Sequence, residues 1–469
     1  MNIILIVVDS LRRDRLSFYR DERVRQLNQS RKSYDVPWED QLAYTPNLDA
    51  LAERATVFDN YYAASFPTMP TRADYATGKL SMSFMTWEPL SRREITMADA
   101  LAGAGYVTAG VVDTPFYQKN GYGYDRGFRY FKDMGSQATY LDLSLPNNAR
   151  YSEYEYCAPE TFTEAEKTLE RIYTQKFFLL IDCWDPHEPW DPPVWYGRRY
   201  NQDYDGPAVL PPYTYYQKAG MTEHDLGMAR AGFQGETTMV DRCIGRIVER
   251  LDTLGIADDT AIVIVSDHGF HFGEHGGLFG KMIREQVRSF AETRMEDWLR
   301  SPLYEELVHV PFMIVLPDEP GRRRVDDLVY APDLMPTILD LAGVDLPEGL
   351  QIHGESVAGF ARGEPAKGRD MVVSGVPLMN PGQDLAVVDS YYRIVREFQP
   401  VTVTVPDWSM LYSARGEPVE LYHLASDSRQ QKNVAGENAG IVREMHGRYL
   451  ELLRELEVAP HLLEPRSQL

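Results

Sequence analysis

The sequence has little cysteine and far fewer basic than acidic residues. Its three cysteines, Cys157, Cys183 and Cys243, lie far apart and include no Cys-x-x-Cys pair, so neither a disulfide framework nor a zinc knuckle is indicated. This favours a reducing, cytoplasmic compartment. The 48 basic residues against 70 acidic ones give a net charge of −22. Nucleic acid and an anionic membrane surface are therefore not expected as partners, because both would repel the chain.

The sequence also lacks targeting and membrane signals. Residues 1–8 are mostly apolar but have no basic stretch before them and run directly into Asp9, which is not typical of a secretory signal peptide. No apolar run approaches the roughly 20 residues that a membrane-spanning helix needs. We therefore expect a cytoplasmic protein that is not attached to a membrane.

Several short apolar runs end in a carboxylate. The runs cover residues 3–8, 106–112, 177–181 and 261–266, and their lack of alternation is typical of strands buried on both faces of a parallel sheet. Asp9, Asp113 and Asp267 directly follow three of them. Ligands gather at the carboxyl edge of such sheets, so these side chains are candidate ligands. The alternative is that each one caps a helix or forms a turn.

The segment around which the chain is organised reads Thr-Met-Pro-Thr-Arg at residues 68–72. It resembles the Cys/Ser-x-Pro-x-Arg motif of the sulfatase family, within the alkaline phosphatase superfamily. The resemblance implies that Thr68 is the nucleophile and that Arg72 holds it and the bound oxyanion. Sulfatases oxidise the Cys or Ser to formylglycine, but threonine is not a substrate for that modification. We therefore expect no formylglycine.

A second motif is Asp267-His268-Gly269, which follows a predicted strand. With Asp9 and the Thr68 oxygen, Asp267 and His268 would form a metal shell of three oxygens and one nitrogen. An imidazole in the shell favours Mn, Zn or Fe over Ca. Calcium-binding sulfatases have Asn in place of His268 and a second Asp in place of Ser10. Phosphonate monoester hydrolases, in contrast, have Asp-His and lack the second Asp, and this chain resembles them at both positions. We expect a divalent metal ion, with Mn or Zn favoured over Ca.

Other residues also match the family pattern. Residues 273–281 resemble its Gly-Glu-His-Gly...Gly-Lys segment, which implies that Lys281 is the cation for the transferred group. His187 lies in a Pro-His-x-Pro element and is assigned to substrate oxygen contact or to protonation of the leaving group. Asp113 and Thr114 stand where sulfatases carry sulfate-binding residues, and we expect either substrate contact or loop capping. His309 is a further candidate metal or substrate ligand.

These residues together predict a metal-dependent hydrolase of phosphodiesters or phosphonate monoesters. Thr68 would attack phosphorus, and water would then hydrolyse the phosphothreonine intermediate. Three alternatives stay open: a sulfatase that works without formylglycine, a phosphotransferase, and a non-catalytic sulfatase-like binding protein. The expected partner is a small-molecule ester, and a homo-oligomer is compatible with the sequence.

The resemblance implies an α/β fold of the alkaline phosphatase type, with a central, mostly parallel sheet flanked by helices. The length of 469 residues allows a large domain and a smaller one. We place a catalytic domain at residues 1–370 and a C-terminal α+β subdomain at 371–469. Alternating residues near 386–389 and 391–395 predict antiparallel strands in the subdomain, and residues 282–303 predict an inserted helix.

Overall fold

The computed structural model describes residues 1–29, 32–85, 88–114, 122–135, 152–206, 208–284, 298–317, 321–378, 400–414 and 416–469. The strands of these segments are, in chain order, β1 (Asn2–Val8), β2 (Thr56–Tyr62), β3 (Val107–Val112), β4 (Tyr130–Asp133), β5 (Phe177–Cys183), β6 (Thr214–Tyr215), β7 (Thr260–Ser266), β8 (His271–Phe272), β9 (Leu278–Gly280), β10 (Ile283–Arg284), β11 (Trp298–Arg300), β12 (Phe312–Val315), β13 (Arg323–Tyr330), β14 (Val372–Gly375), β15 (Val401–Val405), β16 (Trp408–Tyr412) and β17 (Glu420–His423).

Eight of these strands form the central sheet, in the order β13-β2-β12-β7-β1-β5-β3-β4. The strands around β1 are parallel: β1 pairs in parallel with both β5 and β7, and β5 with β3. Only β12 runs against its neighbours in the sheet as described, since it is antiparallel to both β2 and β7. The expected mostly parallel α/β architecture is confirmed.

Burial on both faces explains the unbroken apolar runs. Along β1, Ile3, Leu5 and Val7 contribute to one hydrophobic core, whereas Ile4 and Ile6 contribute to a second core on the opposite face. Successive side chains of a strand point to opposite faces, so a strand between two helical layers needs apolar residues at every position. The functional groups are therefore left to the strand ends.

The described segments contain nine helices of five or more residues. They are α1 (Glu22–Leu27), α2 (Pro46–Ala52), α3 (Thr68–Thr77), α4 (Met97–Gly103), α5 (Cys157–Ile172), α6 (Glu223–Thr253), α7 (Leu334–Ala342), α8 (Ala358–Arg362) and α9 (Ala439–Glu455). Capping boxes at Thr96 and Thr222 begin α4 and α6, where each threonine side chain satisfies an otherwise unpaired backbone N–H. None of the helices described is long and apolar enough to cross a membrane.

A smaller antiparallel sheet, in the order β14-β15-β16-β17, lies in the C-terminal part of the chain. Val403 and Leu421 of this sheet share a hydrophobic core with Leu5 and Val7 of the central sheet. The boundary between domains at residue 370 stays a prediction. The predicted strands at 386–389 and 391–395 lie outside the described residues.

The inserted helix predicted at residues 282–303 is wrong at both described ends, and its middle, residues 285–297, lies outside the described residues. At these ends β10 and β11 pair with each other as antiparallel strands. The charged and apolar residues of this segment have a partly helical spacing, but pairing between its two ends overrides that local preference.

Candidate active site

Three carboxylates converge where adjacent parallel strands end. Asp9 follows β1, Asp267 follows β7, and Asp182 is the penultimate residue of β5. Strands β7, β1 and β5 are neighbours in the sheet, so their carboxyl ends bring these side chains to one edge. All three residues are fully buried.

The guanidinium of Arg72 joins the three carboxylates. Its Nε and Nη2 donate to Asp182 Oδ2 and Oδ1 at 3.0 and 2.8 Å, and its Nη2 lies 3.0 Å from Asp9 Oδ2. Its Nη1 donates to Asp267 Oδ2. Arg72 lies on α3, one turn after Thr68, and its Nη1 also donates to the Thr68 carbonyl at 3.2 Å. The arginine therefore fixes the start of α3 against the carboxylate cluster.

Asp9, Asp267 and His268 are suited to hold a divalent metal ion. Each offers a donor atom, and these atoms lie within 4.8 Å of one another. Asp9 Oδ2 is buried, and its neighbour in the described segments is the Arg72 guanidinium at 3.0 Å, an ion pair that does not have hydrogen-bond geometry. Around Arg72, three carboxylates face one guanidinium, which leaves an excess of negative charge. The donor set and the charge both fit a divalent cation.

The pKa shifts of Asp9 and Asp267 also indicate a cation at this position. Burial and the neighbouring Asp267 carboxylate raise the pKa of Asp9 well above its ordinary value. Burial would also raise the pKa of Asp267, but His268, Arg72 and the backbone amide of Ser10 outweigh it and hold that pKa low. Two adjacent buried carboxylates repel one another unless a cation lies between them.

Thr68 is the first residue of α3 and is buried. Its Oγ1 lies 3.1 Å from His268 Nε2. His268 Nδ1 lies 3.0 Å from the Gly269 carbonyl, which can only accept, so Nδ1 carries the proton and Nε2 presents a lone pair to Thr68. Burial lowers the pKa of His268 to about 3, against the opposing effect of Asp267. The imidazole is thus neutral near pH 7, as a metal ligand must be.

Ser10 supports the carboxylates and supplies no additional one. Its hydroxyl donates to Asp9 Oδ1 at 2.8 Å, and its backbone N–H donates to Asp267 Oδ1 at 3.0 Å. The residue adopts a left-handed backbone conformation with φ of 58°. The position expected to hold a second aspartate in a calcium site is therefore occupied by a hydroxyl that orients Asp9.

Lys281 and His187 meet beside this cluster. Lys281 Nζ lies 2.6 Å from His187 Nε2 and 3.7 Å from Glu188 Oε1. His187 Nδ1 donates to the Glu188 carbonyl at 2.7 Å, so its Nε2 accepts from the Lys281 ammonium. Burial and the Lys281 charge lower the pKa of His187 well below its ordinary value. Trp184 stacks on the His187 ring with centroids 3.7 Å apart, which fixes the imidazole in place.

The remaining predicted site residues lie in different surroundings. Thr114 reaches the cluster, but its hydroxyl donates to Asp182 Oδ1 at 2.7 Å. Asp113 accepts instead from Thr161 Oγ1 at 2.8 Å and from the Trp184 N–H at 2.5 Å, so it holds the loop that carries His187. Their proposed substrate contacts stay predictions.

His309 is not brought to the cluster. Its Nδ1 lies 2.6 Å from Glu305 Oε2, and its Nε2 lies 2.6 Å from the Asp59 carbonyl. Its ring stacks on Tyr62. Both ring nitrogens are thus engaged by other groups, and the role proposed for His309 in binding stays a prediction.

Two functional residues were missed from the sequence. Asp182 ends an apolar run just as Asp9 does, and this position was the signal that could have identified it. Glu188 follows His187 directly; it accepts from the Tyr213 hydroxyl and lies near Lys281. Burial raises the pKa of Glu188, and its proximity to Lys281 depends on how two distant loops pack.

Comparison with known proteins matches this chain to a family. The sulfatase family model matches residues 1–344. The arylsulfatase of Clostridium perfringens is 23% identical, over 95% of this chain and 95% of that protein. The multifunctional alkaline phosphatase superfamily protein PehA of Trinickia caryophylli is 25% identical, over 82% and 86% of the two chains. The solved phosphonate monoester hydrolase of Agrobacterium radiobacter superposes with a TM-score of 0.71 at 22% identity, covering 97% of this chain and 95% of its own.

Proposed function

Because the chain belongs to the sulfatase family and is a hydrolase of sulfate or phosphate esters, we propose that it hydrolyses phosphodiesters or phosphonate monoesters, with Thr68 as the nucleophile. The observation that carries the proposal is the position of Thr68 Oγ1, 3.1 Å from His268 Nε2 and beside a buried carboxylate cluster. A hydroxyl held against candidate metal ligands is the arrangement that nucleophilic attack requires.

Asp9, Asp267 and His268 would hold the metal ion, with Mn or Zn favoured over Ca because one donor is an imidazole. When bound, a divalent ion supplies positive charge that lowers the pKa of the threonine hydroxyl and stabilises the oxygens of the transferred group. Arg72 favours the ionised form of both ligand carboxylates and fixes their positions through its contacts with Asp9 and Asp267, and a bound cation would offset the burial that raises the pKa of Asp9.

The chain's own groups then account for bond making and breaking. The Thr68 hydroxyl releases its proton to solvent, and its oxygen forms a bond to phosphorus as the bond to the leaving oxygen breaks. Lys281 is the candidate acid for the leaving oxygen, because its buried ammonium already donates a hydrogen bond to the neutral His187. A proton passes from Lys281, directly or through His187, to the leaving oxygen. Water next attacks phosphorus and gives a proton to the Lys281 amine left by the first step, as the bond between phosphorus and the Thr68 oxygen breaks.

The threonine itself favours phosphorus over sulfur as the site of attack. A formylglycine hydrate can eject sulfate through its second hydroxyl, whereas threonine has a single hydroxyl. Turnover through Thr68 therefore needs water to attack the covalent intermediate, and a phosphoryl centre suits this step better than a sulfuryl centre. The likeness to the phosphonate monoester hydrolase fold and the name of PehA support the same substrate class.

Sulfuric ester hydrolysis is the second candidate. It is favoured by the curated relatives, which include the Clostridium perfringens arylsulfatase and the choline-sulfatase of Rhizobium meliloti. In that case the same Thr68 and metal ligands would act on a sulfate ester.

The test uses metal-stripped protein refilled with Mn, Zn or Ca. We expect Mn or Zn to restore hydrolysis of bis-p-nitrophenyl phosphate and p-nitrophenyl phenylphosphonate, with Ca less effective and p-nitrophenyl sulfate turned over more slowly. Release of p-nitrophenol, followed by absorbance, measures all three. Preferential turnover of the sulfate ester would overturn the phosphorus assignment and favour the second candidate.

A variant at Lys281 tests the leaving-group step. We expect Lys281→Met to reduce hydrolysis of a phenyl phosphonate ester by about 10²-fold or more, and to reduce hydrolysis of the p-nitrophenyl ester much less, because p-nitrophenolate leaves without a proton. The kcat values of the two esters, compared within each protein, measure this difference.

Lys79→Met is the matched control for this substitution. Lys79 is partly buried, whereas Lys281 is buried; like Lys281 it lies near a carboxylate, Glu94 at 2.6 Å, but it lies outside the cluster. The control should leave the ratio between the two esters unchanged. An equal loss for both esters in Lys281→Met would show that Lys281 binds the transferred group and does not protonate the leaving oxygen.

We also propose that the substrate is a small-molecule ester in a reducing, cytoplasmic compartment. The three cysteines are all buried and unpaired with one another, which supports the compartment. The association of copies into a homo-oligomer stays a prediction.

A further inference from the structure

A second cluster of potential metal ligands lies outside the Thr68 site. His271, His275 and Glu306 each offer one donor atom, and these atoms lie within 4.8 Å of one another. His275 Nε2 is 2.9 Å from Glu306 Oε2. The rings of the two histidines approach edge to face, with centroids 5.5 Å apart. The set therefore combines two imidazoles and one carboxylate.

The tautomer of His271 leaves one ring nitrogen without a hydrogen-bond partner in the described segments. Its Nε2 lies 3.2 Å from the Pro302 carbonyl, which can only accept, so Nε2 carries the proton. Its Nδ1 is then a bare lone pair, fully buried, with no hydrogen-bond partner in the segments that the structure describes. An unpaired buried acceptor is costly and calls for an unseen water or ion. Burial also lowers the pKa of His271 to about 4, so the ring is neutral near pH 7.

The surroundings hold the other imidazole in place. Tyr304 stacks on His275 with centroids 3.8 Å apart and planes 14° from parallel. His275 adopts a left-handed backbone conformation, with φ of 50°, which is uncommon for a residue other than glycine. This turn directs the imidazole towards Glu306. For His271, the hydrogen bond from Nε2 to the Pro302 carbonyl is the outer contact typical of histidines that bind metals, because it fixes the tautomer and the ring orientation.

An ion pair between His275 and Glu306 is the simpler interpretation, and Glu306 does raise the pKa of His275 against the effect of burial. That pair alone gives His271 Nδ1 no partner. A cation at the centre of the cluster would satisfy all three donor atoms together.

We propose that His271, His275 and Glu306 form a second metal site, one for a zinc-class transition-metal ion. Two nitrogens and one oxygen suit Zn and its neighbours better than Ca or Mg. At about 2.0–2.2 Å from the metal, tetrahedral ligands lie about 3.3 Å apart. His275 Nε2 and Glu306 Oε2, 2.9 Å apart, are already this close, and the remaining separations, which are at most 4.8 Å, need to shorten by up to about 1.5 Å. A water molecule would complete the coordination.

The position of the site gives it a structural role. His271 belongs to β8, which pairs with β9 so that His271 lies opposite Gly280, the residue before Lys281. Glu306 lies on a separate turn, tied to the start of this hairpin by the Gly269 N–H bond to the Leu307 carbonyl at 2.8 Å. A metal ion would therefore brace the hairpin that joins His268 to Lys281.

The test counts metal ions per chain. Protein stripped with a chelator is dialysed against Zn²⁺ or Co²⁺, and bound metal is measured by mass spectrometry, with the visible absorption of Co²⁺ reporting on nitrogen ligands. We expect wild-type protein to bind two equivalents. His271→Ala and Glu306→Gln should each bind one, with affinity for the second equivalent reduced at least about 100-fold, in line with the loss of a metal ligand.

Two further variants separate this site from the Thr68 site. Asp267→Asn removes a proposed ligand of the Thr68 site and should retain one equivalent with the same Co²⁺ spectrum. His446→Gln is the matched control, because His446 is also buried and donates Nε2 to a backbone carbonyl, that of Arg466 at 2.8 Å. It should bind two equivalents, and circular dichroism confirms that each variant is folded.

The outcomes are decisive and independent of the proposed hydrolysis. One equivalent in wild-type protein that is lost in Asp267→Asn would overturn the second site, as would unchanged binding of two equivalents by both His271→Ala and Glu306→Gln. One equivalent that survives in Asp267→Asn and disappears in His271→Ala would support the second site while contradicting the metal centre of the proposed function.

Discussion

Thr68→Ala should lower the hydrolysis of bis-p-nitrophenyl phosphate by about 10³-fold or more and leave the fold intact. The reason is that the hydroxyl 3.1 Å from His268 Nε2 is the proposed nucleophile, and an alanine methyl group cannot form a bond to phosphorus. Residual turnover would come from the bound metal ion and the surrounding cations acting on water. Steady-state release of p-nitrophenol measures the loss.

Two controls distinguish lost chemistry from lost structure. Thr68→Ser keeps a hydroxyl at the same place and should retain measurable turnover. Thr77→Ala removes a buried threonine of the same helix, whose Oγ1 donates to the Ala73 carbonyl at 2.7 Å, and should leave kcat within a few-fold of wild type. Equal activity in Thr68→Ala and wild-type protein would exclude Thr68 as the nucleophile.

The covalent intermediate can be sought directly. Rapid quenching during turnover, followed by mass spectrometry, should find the phosphoryl group on the peptide that contains Thr68. In Thr68→Ser the group should move to the serine. Label on any other residue of wild-type protein would contradict the proposed route.

The sequence predicted the central part of the site because parallel strands carry their ends to one edge. Asp9 and Asp267 follow unbroken apolar runs, and the structure places these strands side by side. The same argument applied to Asp113 led to an expectation of substrate contact or loop capping. Strand β3 lies one position further from β1 than β5 does, and Thr161 and the Trp184 N–H bind that carboxylate.

Other features depended on packing between distant segments. Asp182 was visible as the end of an apolar run, but only the fold shows that it receives two hydrogen bonds from Arg72. His309 follows the Tyr-Glu-Glu segment, and its side chain contacts Glu305, one helical turn earlier. The motif alone does not indicate this direction of the side chain. The cluster around His271 likewise needs the β8–β9 hairpin to meet the turn that carries Glu306.

The second large effect is expected at Arg72. Arg72→Met should lower the free energy of unfolding by about 3–5 kcal/mol in the presence of a chelator, as breaking a buried charge pair does. The guanidinium is 1% exposed and contacts three buried carboxylates, those of Asp9, Asp182 and Asp267. Without it, these charges lose their compensating cation, and methionine of similar length fills the space without supplying charge. Urea unfolding followed by circular dichroism measures the difference.

Three comparisons show whether charge is the cause. Adding Asp182→Asn to Arg72→Met should recover part of the lost stability, because one uncompensated carboxylate is removed. Mn²⁺ should stabilise Arg72→Met more than it stabilises wild-type protein, since the ion restores positive charge beside Asp9 and Asp267.

Arg369→Met is the matched control at an arginine bound to one buried carboxylate, Asp333, and should lower the free energy of unfolding by less than Arg72→Met does. A loss no larger at Arg72 than at Arg369, with no recovery from Asp182→Asn, would mean that the carboxylates around Arg72 are protonated in the absence of metal, since neutral carboxyl groups need no counter-charge.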